Sequence, residues 1–224
     1  MNDKTLITIF TYNESENIEK ILVLLTKKFK NILVVDNNSN DHTVEIVNKF
    51  KIYSIKHKYN LGKSNSMKTA INFADIMHFK YILYMDGDGQ HSVDDVSNLI
   101  KEMNLRKSDI LIGYRKDLNS LNLQKKVGTV ILERIFYVLF KKNIKDIQSG
   151  LRIIDLKICD KIMWQSTGSR HYFADAEISV NAVKKLCKVD QIPIKTIKSK
   201  ELKGMNIFEG LYLVLMLFFW RFGK

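Results

Sequence analysis

The sequence predicts an α/β fold in which a mostly parallel sheet is sandwiched by helices. Two observations predict it: apolar strand patterns alternate with helical patterns through the first half of the chain, and polar residues directly follow several of the strands. With 224 residues, 46% of them hydrophobic, the chain is long enough to bury one core. We therefore expect one main domain over residues 1–204 and a C-terminal apolar helix over 205–224.

The strands of the first half end beside polar residues. We expect strands at residues 5–11, 32–35, 52–55, 81–85 and 109–113. Between the first two, Asn13 is expected to cap a helix, with Glu16 three positions on. Ligands of parallel sheets bind at the carboxyl ends of the strands. Asp36, Asp86 and the turn after Thr11 all fall at such ends, so we expect them to converge on one crevice.

The second half of the chain is less regular. The patterns predict helices over 124–140 and 173–186, a break at 146–152 and a strand at 188–194. Pro193 would suit the end of that strand or the edge of the sheet, because proline cannot donate a ladder hydrogen bond.

The strongest candidate for a chemical site is the segment Asp86-Gly87-Asp88-Gly89-Gln90-His91, which follows a buried strand. If the chain stays extended there, Asp86 and Asp88 point to one side. Paired carboxylates offer the hard oxygen ligands of Mg²⁺ or Mn²⁺, and such an ion completes its shell with water and substrate phosphates. The segment therefore predicts a metal site for a diphosphate substrate. The competing interpretation is a solvated turn.

Three other motifs are excluded. An EF-hand loop that starts at Asp86 would need glycine at its sixth position and glutamate at its twelfth, where His91 and Ser97 stand. A P-loop that ends at Gly62-Lys63-Ser64 would need glycine where His57 stands. The glycine-rich fingerprint of dinucleotide-binding folds does not follow the first strand.

The composition points to an anionic partner and a reducing compartment. The net charge is +12 and the pI is near 9.5, although a codon bias toward lysine, asparagine and isoleucine would have the same effect. The sequence has no basic arm and no basic motif interleaved with aromatic residues, so we expect no nucleic acid. Cys159 and Cys187 lack metal-binding spacing, and the N-terminus lacks a signal-peptide pattern, so we expect a cytoplasmic location.

The C-terminal segment carries a short apolar run. Residues 210–220 are apolar or glycine, which is fewer than the roughly 20 residues of a membrane-spanning helix. Basic residues flank the run, and these are Lys198, Lys200, Lys203, Arg221 and Lys224. The pattern favours a helix that lies in an anionic membrane interface. Packing on the core or on another subunit is the alternative.

Five segments taken together resemble one enzyme family. They run from Phe10 to Ile18, from Val34 to Asp41, from Asn60 to Lys63, from Met85 to His91 and from Gln148 to Arg152. In this order, over about residues 4–200, the chain resembles inverting family 2 glycosyltransferases of the GT-A fold. It is most similar to their branch of dolichyl-phosphate mannose synthases and polyprenyl-phosphate glycosyltransferases.

The resemblance implies roles for particular residues. The substrate-binding residues would be Thr11, Tyr12, Glu14, Asp36, Lys63, Gln90 and Arg115. The metal would be held by Asp86, Asp88 and Gln90, and the catalytic residues would be Asp86, Asp88, Asp175 and Arg152. The chain departs from the pattern at Asn37, where many relatives have a second aspartate, and at Ser64-Asn65-Ser66, which replaces a glycine-containing stretch.

The implied reaction is metal-dependent, inverting transfer of a hexose from a GDP- or UDP-linked donor to a dolichyl or undecaprenyl phosphate, at the cytoplasmic face of a membrane. A phosphate acceptor is already anionic near neutral pH and needs no strong base. A hydroxyl acceptor, as in polysaccharide or glycolipid synthesis, would need one, for which Asp175 or Glu177 is the candidate. The rival from another class is a basic nucleic-acid or lipid-binding protein without turnover.

Overall fold

Within the described residues, which are 4–117, 123–162, 173–195, 197 and 207–223 of the computed structural model, seven strands form one sheet. The strands are β1 (Thr5–Thr11), β2 (Ile32–Asp36), β3 (Tyr53–Lys56), β4 (Tyr81–Asp86), β5 (Ile110–Arg115), β6 (Arg152–Asp155) and β7 (Val189–Ile194). Their order is β3-β2-β1-β4-β6-β5-β7, which puts Pro193 in an edge strand. The two pairings of β6 are antiparallel and the others are parallel.

Helices cover both faces of the sheet. They are α1 (Ser15–Thr26), α2 (Thr43–Val47), α3 (Gly62–Ile76), α4 (Val93–Arg106), α5 (Leu123–Phe140), α6 (Cys159–Ile162), α7 (Ala174–Lys184) and α8 (Ile207–Phe222). One apolar core lies between the sheet and α1, α2 and α4, and the other lies between the sheet and the remaining helices. Successive strand residues point to opposite faces, so Ile9 joins the first core and Phe10 the second. The predicted α/β fold, with helices on both faces of the sheet, is confirmed.

Strand β6 begins at the last residue of the segment 146–152, where the patterns predict a break. It has four residues, begins with Arg152 and ends with Asp155, so no long apolar run marks it in the sequence. Tyr84 of β4 pairs with Arg152 of β6. The segment before Arg152 therefore lies beside the carboxyl end of β4.

The expected helix cap at Asn13 is wrong. Helix α1 begins at Ser15, and its N-cap residue is Glu14, which makes no side-chain cap bond. Asn13 instead takes a left-handed φ of 55°, and its side-chain oxygen accepts a hydrogen bond from the backbone N–H of Asn40 at 2.9 Å. A contact with the loop after β2 thus replaces the local cap.

The carboxyl ends of β2, β1 and β4 meet at one edge of the sheet. In the register of these strands, Thr11 pairs with Asp36 and Phe10 pairs with Asp86. The expectation that these ends lie together at one edge of the sheet is confirmed.

Helix α8 packs on the protein through one face. Leu213, Leu217 and Trp220 are buried in the core that α5 and α7 share. The Nζ of Lys184 donates to the Trp220 carbonyl, and the Nε of Arg221 donates to a carbonyl of α5, both at 2.8 Å. Among the helices of the described residues, every one is too short or too polar to cross a bilayer. The predicted basic flank at Lys198, Lys200 and Lys203, and Lys224 on the other side, lie outside the described residues.

Asp41 joins the starts of α1 and α2. Its Oδ2 accepts a hydrogen bond from the Ser15 backbone N–H at 3.1 Å, and its Oδ1 accepts from the backbone N–H and hydroxyl of Thr43 at 3.0 and 2.5 Å. Burial would raise the pKa of Asp41, but the hydrogen bonds from Thr43 and Ser15 outweigh it and lower the pKa from 3.8 to about 2. The ionised carboxylate therefore stabilises the folded state.

The substitution Asp41→Asn should cost about 1 kcal/mol of unfolding free energy at pH 7, because the amide has no charge and only one of the two acceptor oxygens that Ser15 and Thr43 use. The folded pKa lies below the unfolded one, so the advantage of Asp41 is complete above about pH 4 and is lost as the pH falls toward about 2. Urea unfolding at pH 7 and pH 3 measures the difference. Glu19→Gln, which removes an exposed charge from α1, is the control. An equal destabilisation by Asp41→Asn at both pH values would contradict the assignment.

Candidate active site

The crevice is centred on Asp86 and Asp88 at the end of β4. A Cβ on Gly87 between them would lie 2.9 Å from the Cγ2 of Thr11 and 3.0 Å from the Phe10 carbonyl, so glycine lets β4 run close to β1. The two oxygens of Asp88 accept hydrogen bonds from the backbone N–H and the side-chain amide of Gln90 at 3.0 and 2.7 Å. Gln90 thus holds Asp88 in place with uncharged donors.

A cavity of about 60 Å³ opens beside these carboxylates. Its lining is mostly polar and comes from four places in the chain. The residues are Asp86, Asp88, Gln90, His91, Arg115, Gln148, Ser149, Gly150 and Ile197. The Nδ1 of His91 is buried and has no hydrogen-bond partner in the described part of the chain. Burial lowers the pKa of His91, although the charges of Asp86 and Asp88 act to raise it. The net lowering favours the neutral imidazole ring. The sequence analysis included His91 in the segment 86–91 but assigned no role to it.

Four buried or half-buried charges form a chain behind the cavity. Lys63, in the first turn of α3, places its Nζ 2.7 Å from Asp86 Oδ1 and 2.9 Å from Asp175 Oδ2. The Nε of Arg152 lies 3.3 Å from Asp175 Oδ1. In order, the chain is Asp86, Lys63, Asp175 and Arg152, and we call it the ion chain. Charges alternate along it, so each carboxylate faces at least one cation.

The contacts of Lys63 shift its own pKa and that of Asp86. Burial alone would lower the pKa of Lys63, but the carboxylates of Asp175 and Asp86 hold it above its ordinary value. Burial would raise the pKa of Asp86, but the Lys63 ammonium holds it below its ordinary value. Asp88 lies outside the chain, and its pKa is raised by burial and then by the charge of Asp86. Of the paired carboxylates, Asp86 makes an ion pair with Lys63, whereas Asp88 makes none within the described residues.

Arg152 faces the protein interior. Its side chain is fully buried, and its guanidinium donates to the Ser149 carbonyl at 2.6 Å and to the backbone carbonyl of Asp175 at 2.8 Å. The structure therefore places Arg152 behind Asp175, where it organises the 147–149 segment. Arg115, by contrast, lines the cavity. It is fixed by Asp146, which accepts from its Nε and Nη2 at 2.7 and 2.8 Å.

The expected nucleotide residues lie at the neighbouring strand ends. The hydroxyl of Thr11 donates to Asp36 Oδ1 at 3.1 Å, and Ser39 donates to both oxygens of Asp36 from its hydroxyl and backbone N–H. Tyr12 is exposed, whereas Glu14 is buried and accepts from a side-chain amide of α1. Asp36 is thus already hydrogen-bonded within the protein.

Asn37 connects the end of β2 to the loop that precedes Lys63. Its Oδ1 accepts from the Leu61 backbone N–H at 2.9 Å and lies 3.1 Å from the Nδ1 of His57, while its Nδ2 donates to Asn60 at 2.7 Å. An amide can both donate and accept, which an aspartate at this position could not. Asn37 stands where many relatives have an aspartate, and its local hydrogen bonds use both the donor and the acceptor of its amide.

The residues that the sequence singles out fall into three groups. Those that line the cavity are Asp86, Asp88, Gln90 and Arg115, and those reached through the ion chain are Lys63, Asp175 and Arg152. Thr11, Tyr12, Glu14 and Asp36 lie at or just after the ends of the neighbouring strands. The sequence analysis assigned no role to Asp146 or Gly150. Nothing in the sequence marks Asp146 except its position just before the segment 148–152.

The lining suits a hard divalent cation that completes its shell from a substrate. In the part of the chain that the structure describes, no three His, Cys, Asp or Glu side chains are grouped to hold a metal. Asp86 and Asp88 still offer carboxylate oxygens, and His91 offers a buried Nδ1 without a partner. Two carboxylates leave room for phosphate oxygens, as Mg²⁺ sites in phosphate-handling enzymes do.

Comparison with known proteins shows what the chain is similar to. The family model described as glycosyl transferase family 2 matches residues 6–163. The chain is 31% identical to an uncharacterized protein of Methanocaldococcus jannaschii, over 96% of this chain and 91% of that protein. It is 27% identical to a UDP-N-acetylglucosamine–dolichyl-phosphate N-acetylglucosaminyltransferase of Methanococcus voltae, over 100% of this chain and 99% of that protein.

Solved structures share the fold. A crystal structure of glucosyl-3-phosphoglycerate synthase from Mycobacterium tuberculosis, in complex with Mn²⁺, UDP-glucose and phosphoglyceric acid, aligns with a TM-score of 0.74. The alignment covers 97% of this chain and 78% of that one at 10% identity. At this identity the likeness establishes the fold alone.

The substitution Gly150→Ala should disturb the Asp86 carboxylate. A Cβ at position 150 would lie 2.0 Å from Asp86 Oδ2, and the other oxygen of Asp86 is held by Lys63. We expect the variant to lose about 1–3 kcal/mol of unfolding free energy, as for an overpacked site. Gly128→Ala in α5 is the matched control, because nothing lies within 4 Å of its Cβ; it should gain about 0.5–1 kcal/mol. Equal stability of Gly150→Ala and the wild type in denaturant unfolding would refute the close approach.

Proposed function

This chain belongs to glycosyl transferase family 2, and from that membership and its site we propose that it transfers a hexose from a nucleoside diphosphate sugar to a polyprenyl phosphate. The membership makes the chain a glycosyltransferase that uses a nucleotide sugar. The main support for this proposal is the position of Asp86 and Asp88. Both line a cavity at the carboxyl ends of adjacent parallel strands.

The proposed metal ligands are Asp86 and Asp88, with Gln90 beside them. Bound Mg²⁺ or Mn²⁺ would supply positive charge against the diphosphate that leaves. Arg115 lines the same cavity and adds a fixed guanidinium, which suits a phosphate oxygen. Thr11, Tyr12, Glu14 and Asp36 would border the nucleotide at the neighbouring strand ends, with Asp36 as an acceptor for its base or ribose.

The burial of Asp175 between Lys63 and Arg152 supports a phosphate acceptor. A hydroxyl acceptor needs a base, and a base needs a free oxygen lone pair near the substrate. The Lys63 ammonium binds one oxygen of Asp175, and the other oxygen lies 3.3 Å from the Arg152 Nε without a hydrogen bond. Only 3% of the Asp175 side chain is exposed, and it does not line the cavity, so a substrate hydroxyl cannot reach it there. Glu177 is likewise buried. A polyprenyl phosphate oxygen is already anionic near neutral pH, so it needs neither Asp175 nor Glu177 as a base.

The proposed donor carries uridine diphosphate. Support comes from the relative of Methanococcus voltae, whose name specifies a UDP-linked sugar and a dolichyl phosphate, and which matches this chain over its whole length. A GDP-linked donor is the other outcome of a donor panel.

Replacing both carboxylates, as Asp86→Asn with Asp88→Asn, should reduce sugar transfer at least about 100-fold, because several kcal/mol of charge stabilisation of the leaving group is lost. The assay follows transfer of labelled sugar from UDP- and GDP-linked donors to dolichyl phosphate with Mn²⁺ or Mg²⁺. Asp94→Asn, at an exposed carboxylate of α4, is the control and should keep full activity. Retained transfer in the double variant would disprove the metal assignment. Transfer to a hydroxyl acceptor, with none to any polyprenyl phosphate, would disprove the acceptor.

The outward face of α8 supports a peripheral membrane contact. Its large apolar side chains repeat at helical spacing, and the most exposed are Phe208, Leu211, Leu215, Phe219 and Phe222. We call this the α8 outer face. Exposed lysines lie just after the ends of α5 and α7, at Lys141, Lys142 and Lys185. Apolar side chains beside basic ones suit the interface of an anionic bilayer, where a polyprenyl phosphate resides.

The double substitution Leu215→Glu with Phe219→Glu should weaken binding to liposomes that contain anionic lipid about tenfold or more, since two exposed apolar anchors are lost and two negative charges are added. Both side chains are about two-thirds exposed, so the melting temperature should change little. Leu105→Glu, at a comparably exposed leucine of α4, is the control. Unchanged liposome sedimentation would contradict the membrane contact, and a dimer that dissociates in the variant would assign the face to a second copy of the chain.

A further inference from the structure

We propose that Lys63 is a resident cation of the metal site: its ammonium holds Asp86 while no divalent metal is bound, and the metal competes with it for that carboxylate. The inference deepens the proposed function and rests on its metal site. It makes Lys63 a positioning residue of that site, in addition to any contact with the nucleotide.

The geometry gives Lys63 a place at the carboxylate itself. Its Nζ lies 2.7 Å from Asp86 Oδ1, which is the distance of a charge-assisted hydrogen bond. Only 14% of the Lys63 side chain is exposed, so water screens the contact weakly. A divalent ion that uses this oxygen meets a positive charge already in contact with it.

The two paired carboxylates are unequal as a result. Asp86 faces an ammonium group, whereas the hydrogen bonds of Asp88 in the described residues come from the uncharged amides of Gln90. Asp88 therefore presents a carboxylate that makes no ion pair within the described residues, although Arg115 lines the same cavity. A cation that enters can bind Asp88 without breaking an ion pair, and it gains Asp86 only as Lys63 releases it.

Asp175 makes that release possible. It binds Lys63 at 2.9 Å through Oδ2, so the ammonium keeps one carboxylate after it gives up the other. Arg152 holds Asp175 in place from the opposite side, through Oδ1 and the backbone carbonyl. No buried charge is left unpaired in either state, which avoids the several kcal/mol that an isolated buried charge costs.

The exchange has a consequence for the donor. Lys63 that has released Asp86 is an ammonium group beside the proposed metal site, where the diphosphate of the donor brings negative charge. Metal and nucleotide binding should then reinforce each other, because each favours the released position of Lys63.

The test measures Mn²⁺ binding to the full chain without nucleotide, from the electron paramagnetic resonance signal of free Mn²⁺. Lys63→Met removes the competing charge and should tighten Mn²⁺ binding about tenfold or more, as expected for the loss of a like charge within a few ångströms. Lys63→Arg keeps the charge and should stay within about threefold of the wild type. Lys101→Met, at an exposed lysine of α4, makes the same change in net charge and should leave the affinity unaltered.

The direction of the effect separates competition from damage, because a merely distorted site would bind Mn²⁺ more weakly. Unchanged or weaker binding in Lys63→Met, with a wild-type circular dichroism spectrum, overturns the inference and leaves the proposed function standing. Lys63→Met combined with Asp175→Asn removes one charge of each sign and carries the same expectation if the single variant does not fold. Absence of Mn²⁺ binding in all variants overturns the inference, and its absence with UDP added overturns the proposed metal site as well.

Discussion

The ion chain is the interaction on which the arrangement of the site depends. It ties together β4, α3, α7 and β6 through alternating charges, and all its contacts join residues that are far apart in sequence. Buried charges are tolerated when they are paired, and the two inner members, Lys63 and Asp175, each pair with two others. Arg152 extends this constraint to the backbone by holding the carbonyls of the 147–149 segment that precedes Gly150. The position of the Asp86 carboxylate is therefore set from both sides of the cavity.

The periodic part of the fold and the strand-end carboxylates were predictable from the sequence. Apolar runs mark β1, β2 and β4, and parallel strands bring Asp36 and Asp86 to one edge by geometry alone. The contacts that complete the site follow no local pattern. Lys63 meets Asp175 across 112 residues, Arg115 meets Asp146 across 31, and β6 is too short and too charged to show as a strand. Asn13 was mistaken for a cap because its partner, the backbone N–H of Asn40, lies in another loop.

The C-terminal helix packs on the core and still exposes an apolar face, so the observed packing is compatible with the proposed membrane contact. One face carries Leu213, Leu217 and Trp220 into the core, and the α8 outer face remains exposed. A helix that is apolar around most of its circumference can satisfy both demands, since packing covers only the stripe that faces the protein. Attachment of α8 through Lys184 and Arg221 to backbone carbonyls also gives the outer face a fixed orientation relative to α5 and α7.

The sheet edges carry a consequence for self-association. At one edge, β3 has only four residues and ends with Lys56; at the other, β7 contains Pro193. Short edge strands, lysine and proline all oppose the addition of a further strand from another molecule. Fibre-like growth through the backbone is therefore disfavoured at both ends of the sheet. Helix α8 exposes several aromatic side chains that are available to a bilayer or a partner. The edge strands of the sheet do not add a second surface that favours aggregation.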